Sequence, residues 1–361
     1  MDPVRLGILG CGRGSFALAV ADAAPGDLRV VACADMRRDR AESLAAGRPG
    51  TAVCESLEEL LAAPDVDAVL VATPDHLHAR HAIACLRAGR HVLSEIPAAC
   101  TLDELSNLVD AALEADRRYM MGNEVRWFPA LARARRWTEE GRWGTVFYGE
   151  AEYLHNLMRD GWRTVEPDGA PHWRWDPAAP QTTLLGGGPH AFDTLRWLAD
   201  EPGFVETIGF GTGRSVTDHP EPSTAACLLR SARGGVYKVT VSYAMARPYC
   251  LYFSLYGDAG SFEGGRTDQE ATFWYSDTEP GMQGLQPTGM PFWTEPAVPV
   301  VGHGSSEYAM LRAFVAAIRE HRDPPIGPVE AAQSTAPAIC ALEAIRAGRP
   351  VAIPRFGWGP P

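Results

Sequence analysis

Residues 5–15 read Arg5-Leu6-Gly7-Ile8-Leu9-Gly10-Cys11-Gly12-Arg13-Gly14-Ser15, and the apolar stretch 16–23 follows with helical spacing. An apolar run of strand length that breaks on glycines and re-forms as a helix is the opening unit of a doubly wound α/β sheet. Gly10 suits the tight turn. Gly12 leaves the backbone bare where a pyrophosphate would approach the N-terminus of the helix. Ser15 stands at the usual third-glycine position, with Gly14 one place earlier. The same glycines serve any tight strand-to-helix turn. Their place between a strand and a helix moves the reading toward a dinucleotide.

Working outward, further strands are expected at 28–34, 68–72, 91–94 and 119–122, with helices at 38–46 and 79–88 between them. Thr101-Leu102-Asp103-Glu104 has the spacing of a capping box and should open another helix. Strands separated by helical crossovers imply a parallel sheet. Beyond about residue 129 the rhythm changes to β-rich segments at 145–153, 205–210, 225–229, 236–243 and 252–256, with Arg233-Gly234-Gly235 as a hairpin turn. This second sheet is expected to be large, open and mostly antiparallel. Residues 264–299, rich in Gly, Pro, Thr and Glu, read as irregular loop, and 307–320 and 329–346 as helices. The fold expected is therefore a Rossmann domain over 1–125 and an α+β domain over 126–361 for substrate and oligomerisation, with C-terminal residues packing back on the first domain.

Composition narrows the function. A net charge of −12 repels phosphate backbones and anionic membranes, so neither nucleic acid nor a membrane is expected as a partner. No apolar run is long enough for an ordinary membrane span, and the N-terminus lacks the pattern of a signal peptide. None of the eight cysteines forms a Cys-x-x-Cys pair, so buried thiols in a cytoplasmic protein are expected, not disulfides or zinc ligands.

The polar residues gather at expected strand ends. Asp35 closes the second strand roughly 20 residues beyond Gly12, where a carboxylate accepts hydrogen bonds from a ribose and repels a 2′-phosphate. NAD is expected on that ground; Arg37 and Arg38, able to neutralise such a phosphate, leave NADP open. Thr73-Pro74-Asp75-His76-Leu77-His78 ends the strand at 68–72, and Ser94-Glu95-Ile96-Pro97 the strand at 91–94. Taken singly, His76 and His78 read best as helix caps.

These pieces, with Gly188-Pro189-His190-Ala191-Phe192-Asp193 and Gly257-Asp258-Ala259-Gly260-Ser261, resemble the Gfo/Idh/MocA oxidoreductases. The resemblance runs in order from Leu6 to about Pro354. It implies hydride transfer between a nicotinamide and a hydroxyl-bearing carbon of a sugar, polyol or related compound. The cofactor set it implies is Gly10, Cys11, Gly12, Arg13, Gly14, Ser15, Asp35, Thr73, Pro74, His76, His78, Glu95, Pro97 and Asn123, with Arg126 beside the nicotinamide. Two departures stand out. The family's Glu-Lys-Pro is Glu95-Ile96-Pro97 here, and the aspartate often found four residues before the histidine is Gly186.

His190 suits the removal of a hydroxyl proton, since an imidazole titrates near neutrality. Asp193, three residues on, lies on the same helical face to orient it; the plainer reading is a helix-capping pair. Glu152-Tyr153-Leu154-His155 alternates along a strand end, so Tyr153 and His155 share one face and offer a second acid/base. Glu95, Arg126, Glu152, Arg174 and His303 are expected to hold substrate. Histidines with Glu152 could bind a metal, but no tight ligand spacing supports one, and none is expected. The tryptophans at 127, 162, 173, 175 and 293 read mainly as packing. A homodimer or homotetramer is expected. Two other functions stay open: a redox-neutral lyase, glycosidase or epimerase that retains NAD, and a non-catalytic dinucleotide-binding sensor.

Overall fold

The computed structural model describes residues 2–157, 173–175, 182–213, 221–264, 270–275, 286–291 and 306–357. The chain divides into two compact units, Met1–Trp127 with Glu295–Ala332, and Phe128–Thr294 with Gln333–Pro361.

The first unit alternates strand and helix: β1 (Val4–Leu9), α1 (Phe16–Ala23), β2 (Leu28–Ala34), α2 (Arg38–Ala45), β3 (Ala52–Cys54), α3 (Leu57–Ala62), β4 (Ala68–Val71), α4 (His78–Arg87), β5 (His91–Glu95), α5 (Leu102–Glu114) and β6 (Tyr119–Gly122). Its six strands are all parallel in the order β3-β2-β1-β4-β5-β6. Sequences such as Ala68-Val69-Leu70-Val71 are apolar throughout because a parallel strand is covered on both faces. The capping box forms: Thr101 Oγ1 accepts from the Glu104 amide at 3.2 Å, and Glu104 Oε2 accepts from the Thr101 amide at 3.1 Å. The strand order reverses between β1 and β4, and the Gly10 turn leaves β1 at that switch point.

The second unit contains α6 (Pro129–Glu139), β7 (Val146–Leu154), α7 (Thr183–Gly186), α8 (Gly188–Leu198), β8 (Phe204–Gly211), β9 (Thr224–Ser231), β10 (Val236–Ser242), β11 (Cys250–Gly257), β12 (Gly260–Gly264), β13 (Glu270–Tyr275) and β14 (Gln286–Pro291). Helix α9 (Ser306–Arg319) returns to the first unit, and α10 (Pro328–Ala347) and β15 (Val351–Ala352) follow. Nine strands form one sheet in the order β14-β13-β12-β11-β7-β10-β9-β8-β15. Every neighbouring pair is antiparallel except β7 and β10, which run parallel.

Helix α8 lies across β7, β10 and β11 on one face of this sheet. The pleat sends Ala151, Tyr153, Tyr237, Val239, Val241, Leu251, Phe253 and Leu255 to that face, and all are buried. Burial of each large apolar side chain contributes about 2 kcal/mol. The other face carries Tyr148, Glu150, Glu152, Ile208, Leu228, Val236 and Lys238, half-buried or exposed.

The structure corrects the reading of 264–299 as irregular loop: β13 and β14 pair antiparallel within it. Pro287, Gly289 and Pro291 gave the loop signal, but β14 is the edge strand of the sheet, where a proline sacrifices no ladder bond. No disulfide joins the eight cysteines, seven of which are buried. Among the described residues no helix is long and apolar enough to cross a membrane.

Candidate active site

The glycine-rich turn shows what each residue is for. Gly10 has φ +97°, and a Cβ there would stand 2.3 Å from the Ala72 carbonyl oxygen, so only glycine fits. A Cβ on Gly14 would meet Ile8 Cγ2 at 2.7 Å, so this glycine lets the helix entry lie close on β1, the task usually given to position 15. Around Gly12 a Cβ would meet nothing within 4 Å. Asp35 Oδ2 accepts from the Cys11 amide at 2.7 Å and Oδ1 from the Arg37 amide at 2.8 Å, which ties the turn to the end of β2. Ser15 Oγ donates to the Gly12 carbonyl. Arg37 pairs with Asp39 at 2.7 Å, and Arg38 with Glu42 at 2.9 Å and Glu55 at 2.5 Å, all near the surface.

Arg13, in the same turn, points to a cluster that the sequence did not reveal. Its Nε lies 3.1 Å from Glu95 at the end of β5, its guanidinium 3.1 Å from Glu307 in the first turn of α9, and 4.0 Å from Glu124 just past β6. Burial opposes the charge on Arg13, but the three carboxylates outweigh it and hold the guanidinium well above its ordinary range. Burial also pushes the Glu95 carboxyl up, Arg13 pulling it back down and Glu124 adding to the rise. Glu124 and Glu307 sit at the ends of elements far apart in sequence, and no motif marks them.

Other expected groups in this unit brace the strand ends. His78 is 1% exposed, with Nδ1 2.9 Å from the Pro97 carbonyl and Nε2 2.7 Å from the Thr73 carbonyl, so it stitches the end of β4 to the segment after β5. The Thr73 hydroxyl lies 3.1 Å from His81 Nδ1. Pro74 precedes the short turn that carries half-buried His76. Asn123 is fully buried, and its Oδ1 accepts from the Val125 amide. Arg126 is buried and pairs with Glu330 at 3.0 Å.

In the second unit the ladder register builds a cluster of rings. Leu154 of β7 pairs with Ser242 of β10 on one side and with Cys250 of β11 on the other. Residues one step beyond that rung, His155, Tyr243 and Tyr249, therefore emerge together at the ends of three neighbouring strands. One step inside, the Tyr153 ring lies flat on His190, centroids 5.5 Å apart and planes 10° apart. Tyr243 and Tyr249 meet the Tyr153 ring edge-on at 6.1 and 5.6 Å. The Tyr153 hydroxyl is 3.5 Å from His155 Nδ1.

His190 occupies the third position of α8, after Gly188 and Pro189. A Cβ on Gly187 would stand 2.5 Å from Tyr153 Cδ1, so the bare backbone there is what lets the helix start against the tyrosine ring. Asp193, fully buried, accepts a short hydrogen bond from Ser334 of α10, which anchors the helix bearing His190. Glu152 stands on the opposite face of the sheet from Tyr153. Arg174 lies with its guanidinium 4.2 Å over the Trp173 ring. His303, Trp162 and Trp293 lie outside the described residues. Among the described residues no group of three or more His, Cys, Asp or Glu is placed to hold a metal.

The family model described as "Oxidoreductase family, NAD-binding Rossmann fold" matches residues 4–123, and "GFO/IDH/MocA C-terminal domain" matches residues 131–263. The chain belongs to the Gfo/Idh/MocA family. As a Gfo/Idh/MocA protein it is an enzyme, an NAD-binding oxidoreductase. It is similar to a glycosyl hydrolase family 109 protein of Streptomyces niveus, 29% identical over 99% of this chain and 78% of that one. It is 31% identical to a levoglucosan dehydrogenase of Pseudarthrobacter phenanthrenivorans over 48% of this chain and 42% of the relative. Its fold is that of the solved structure "Levoglucosan dehydrogenase, complex with NADH and L-sorbose", with TM-score 0.85 and 22% identity over 99% of this chain and 100% of the other.

The residues of this Gfo/Idh/MocA chain fit the dinucleotide. The clear space over Gly12, the obligatory glycine at 10 and the carboxylate of Asp35 beside the turn are what a pyrophosphate and a ribose require. With Arg37 and Arg38 already paired to carboxylates, the turn presents no free arginine pair to a 2′-phosphate, in keeping with NAD.

Proposed function

We propose that this enzyme moves a hydride between NAD and a carbon bearing a secondary hydroxyl, or the matching ketone, of a sugar, glycoside or polyol. The observation that carries this reading is the stacked pair Tyr153–His190 with His155 beside it. An alcohol carbon can release hydride only if its hydroxyl proton leaves, and His190 takes that proton. Tyr153 holds the imidazole plane by stacking. Its hydroxyl, next to His155 Nδ1, serves as the second acid/base in a chain whose residue 96 is isoleucine, and Asp193 positions α8 through Ser334. NAD supplies the two-electron acceptor when bound, held by Gly10, Gly12 and Asp35. The dehydrogenase named among the relatives supports this choice.

The test is direct. The enzyme with NAD and a broad panel of sugars and polyols should generate the absorbance of reduced nicotinamide, and His190→Asn should lower kcat by about 10²- to 10⁴-fold. Silence across the panel, or full activity in His190→Asn, overturns the reading.

A second reading is favoured by one finding, the glycosyl hydrolase name of a relative that spans 99% of this chain. Transient oxidation of a hydroxyl acidifies the neighbouring C–H and permits elimination, after which the cofactor returns to its starting state. Turnover without added NAD and without net reduced nicotinamide selects this reading; stoichiometric reduced cofactor excludes it.

We also assign the enzyme to the cytoplasm, in keeping with cysteines that are mostly buried thiols and not disulfides. A homodimer or homotetramer is proposed, formed through the sheet face away from α8, where Phe210 is 80% and Leu228 48% exposed.

A further inference from the structure

We propose that the carboxylates gathered on Arg13 tune this enzyme toward the oxidised cofactor, so that the cationic nicotinamide of NAD is held more tightly than the neutral ring of NADH. This preference needs only the dinucleotide binding that the family shares and no particular substrate.

NAD and NADH have the adenosine, the second ribose and the pyrophosphate in common. They differ at the ring, which carries one positive charge until a hydride arrives and none afterwards. Discrimination between them therefore falls to the charge that lies at the nicotinamide end. Asp35 at the end of β2 marks the adenosine side of the switch point, and the bare backbone at Gly12 marks the pyrophosphate. A dinucleotide that crosses the switch point carries its ring toward the ends of β4, β5 and β6.

Negative charge collects at those ends. Glu95 closes β5, Glu124 follows β6 and Glu307 comes from the first turn of α9, and Arg13 faces them at 3.1, 4.0 and 3.1 Å. Three carboxylates on one guanidinium leave an excess of two negative charges. A proton added at Glu95, or at its further neighbour His78, still leaves one. Arg126, just past β6, is matched by its own carboxylate, Glu330, at 3.0 Å. The lysine that the family carries after this glutamate is Ile96 here, so the ammonium that would offset the excess is missing. Glu124 and Glu307 are fully buried, and a buried charge is screened far less than one in water. Arg13 and Glu95, with side chains 38% and 10% exposed, form the open side as a neutralised pair, so the field that reaches past them is that of the surplus.

The pyrophosphate feels the same field as a repulsion, but it does so in both forms and cancels from the ratio of their affinities. The reduced ring is the one held less well. NADH then leaves sooner after a net oxidation, or returns its hydride sooner in a redox-neutral cycle. A tenfold preference for the oxidised form lowers the midpoint potential of the bound couple by about 30 mV.

Binding alone tests this, with purified enzyme, NAD, NADH and no sugar. Calorimetry, checked by NADH fluorescence, gives Kd for each nucleotide, and the parent enzyme should show Kd(NADH)/Kd(NAD) above one. Glu124→Gln and Glu307→Gln keep the side-chain shape and remove a charge, and each should lower that ratio about fivefold. Glu307→Asp keeps the charge and changes the shape, and should leave the ratio within about twofold of the parent. Thermal melts identify any variant that does not fold. Ile96→Lys adds a cation at the same strand end and should give the same fall with every carboxylate in place. A parent ratio below one, an unchanged ratio in the folded glutamine or lysine variants, or a fall in Glu307→Asp as large as in Glu307→Gln overturns the proposal. Ratios that shift as expected in an enzyme silent toward every sugar would support the charge preference while removing the dehydrogenase reading, so the two fail separately.

Discussion

At the residue scale, Tyr153 has two separable attributes, a ring that stacks on His190 and a hydroxyl next to His155. Tyr153→Phe keeps the first and deletes the second, and Tyr153→Ala deletes both. If the hydroxyl moves protons, Tyr153→Phe should lose about 10²-fold in kcat with little change in KM. Tyr153→Ala should lose more and also destabilise the unit by about 3 kcal/mol through the cavity left under α8. Steady-state kinetics and urea unfolding of the two variants check this. Equal kcat in Tyr153→Phe and the parent would leave the ring as the only contribution. His190 stood out in the sequence as a candidate through the family resemblance and the helix entry that Gly188-Pro189 announces. Tyr249 did not. Nothing in Arg247-Pro248-Tyr249 distinguishes it from a packing aromatic until the strands are set side by side.

At the element scale, the start of α8 depends on backbone approaching a ring. Gly187→Ala places a methyl where Tyr153 Cδ1 and Cε1 stand, at 2.5 and 2.7 Å, and the buried ring cannot swing aside. The expected cost is about 1–3 kcal/mol of stability from overpacking and a fall in kcat of about 10²-fold from the displaced imidazole. Thermal melts and kinetics on this variant measure both; unchanged kinetics would mean that His190 does not need the stack. The alternation of strand and helix through residue 122 could be read from continuous apolar runs, except for β3 and α3, which at three and six residues are too short to leave one. In the second unit, proline misled, because its effect depends on whether a strand lies at the edge, which sequence does not state. The pairing of β7 with β10 was equally hidden. Parallel neighbours joined by a long connection leave no turn signature.

At the scale of the whole molecule, the balance of charge gives a pH dependence. His81 and His91 in the first unit are each pulled down to about 4 from the ordinary 6.5, mainly by burial, with nearby arginines adding to the fall. Unfolding restores their ordinary affinity, so below pH 6.5 the unfolded chain binds protons that the folded chain refuses. Their penalty is absent above that pH and grows as the pH falls toward 4. Halved for solvent screening, two such groups should lower Tm by about 5 °C between pH ~7 and ~5. Calorimetry at the two pH values tests it, and His81→Gln with His91→Gln should flatten the difference. Light scattering should give a mass two or four times 39.0 kDa, and Leu228→Glu should shift it toward the monomer. A monomeric parent would remove the exposed sheet face as the assembly surface.

The rung Ser242–Leu154–Cys250 has a consequence for how such an enzyme can change. His155, Tyr243 and Tyr249, which surround the Tyr153 ring, each occupy the first position after, or the last before, a strand of fixed register. They can be exchanged one at a time with no change of loop length and no disturbance of the nucleotide-binding turn. Selection, or an engineer, can thus vary the ring cluster at these strand ends by single exchanges, with His155 the one that also bears on proton transfer through the Tyr153 hydroxyl.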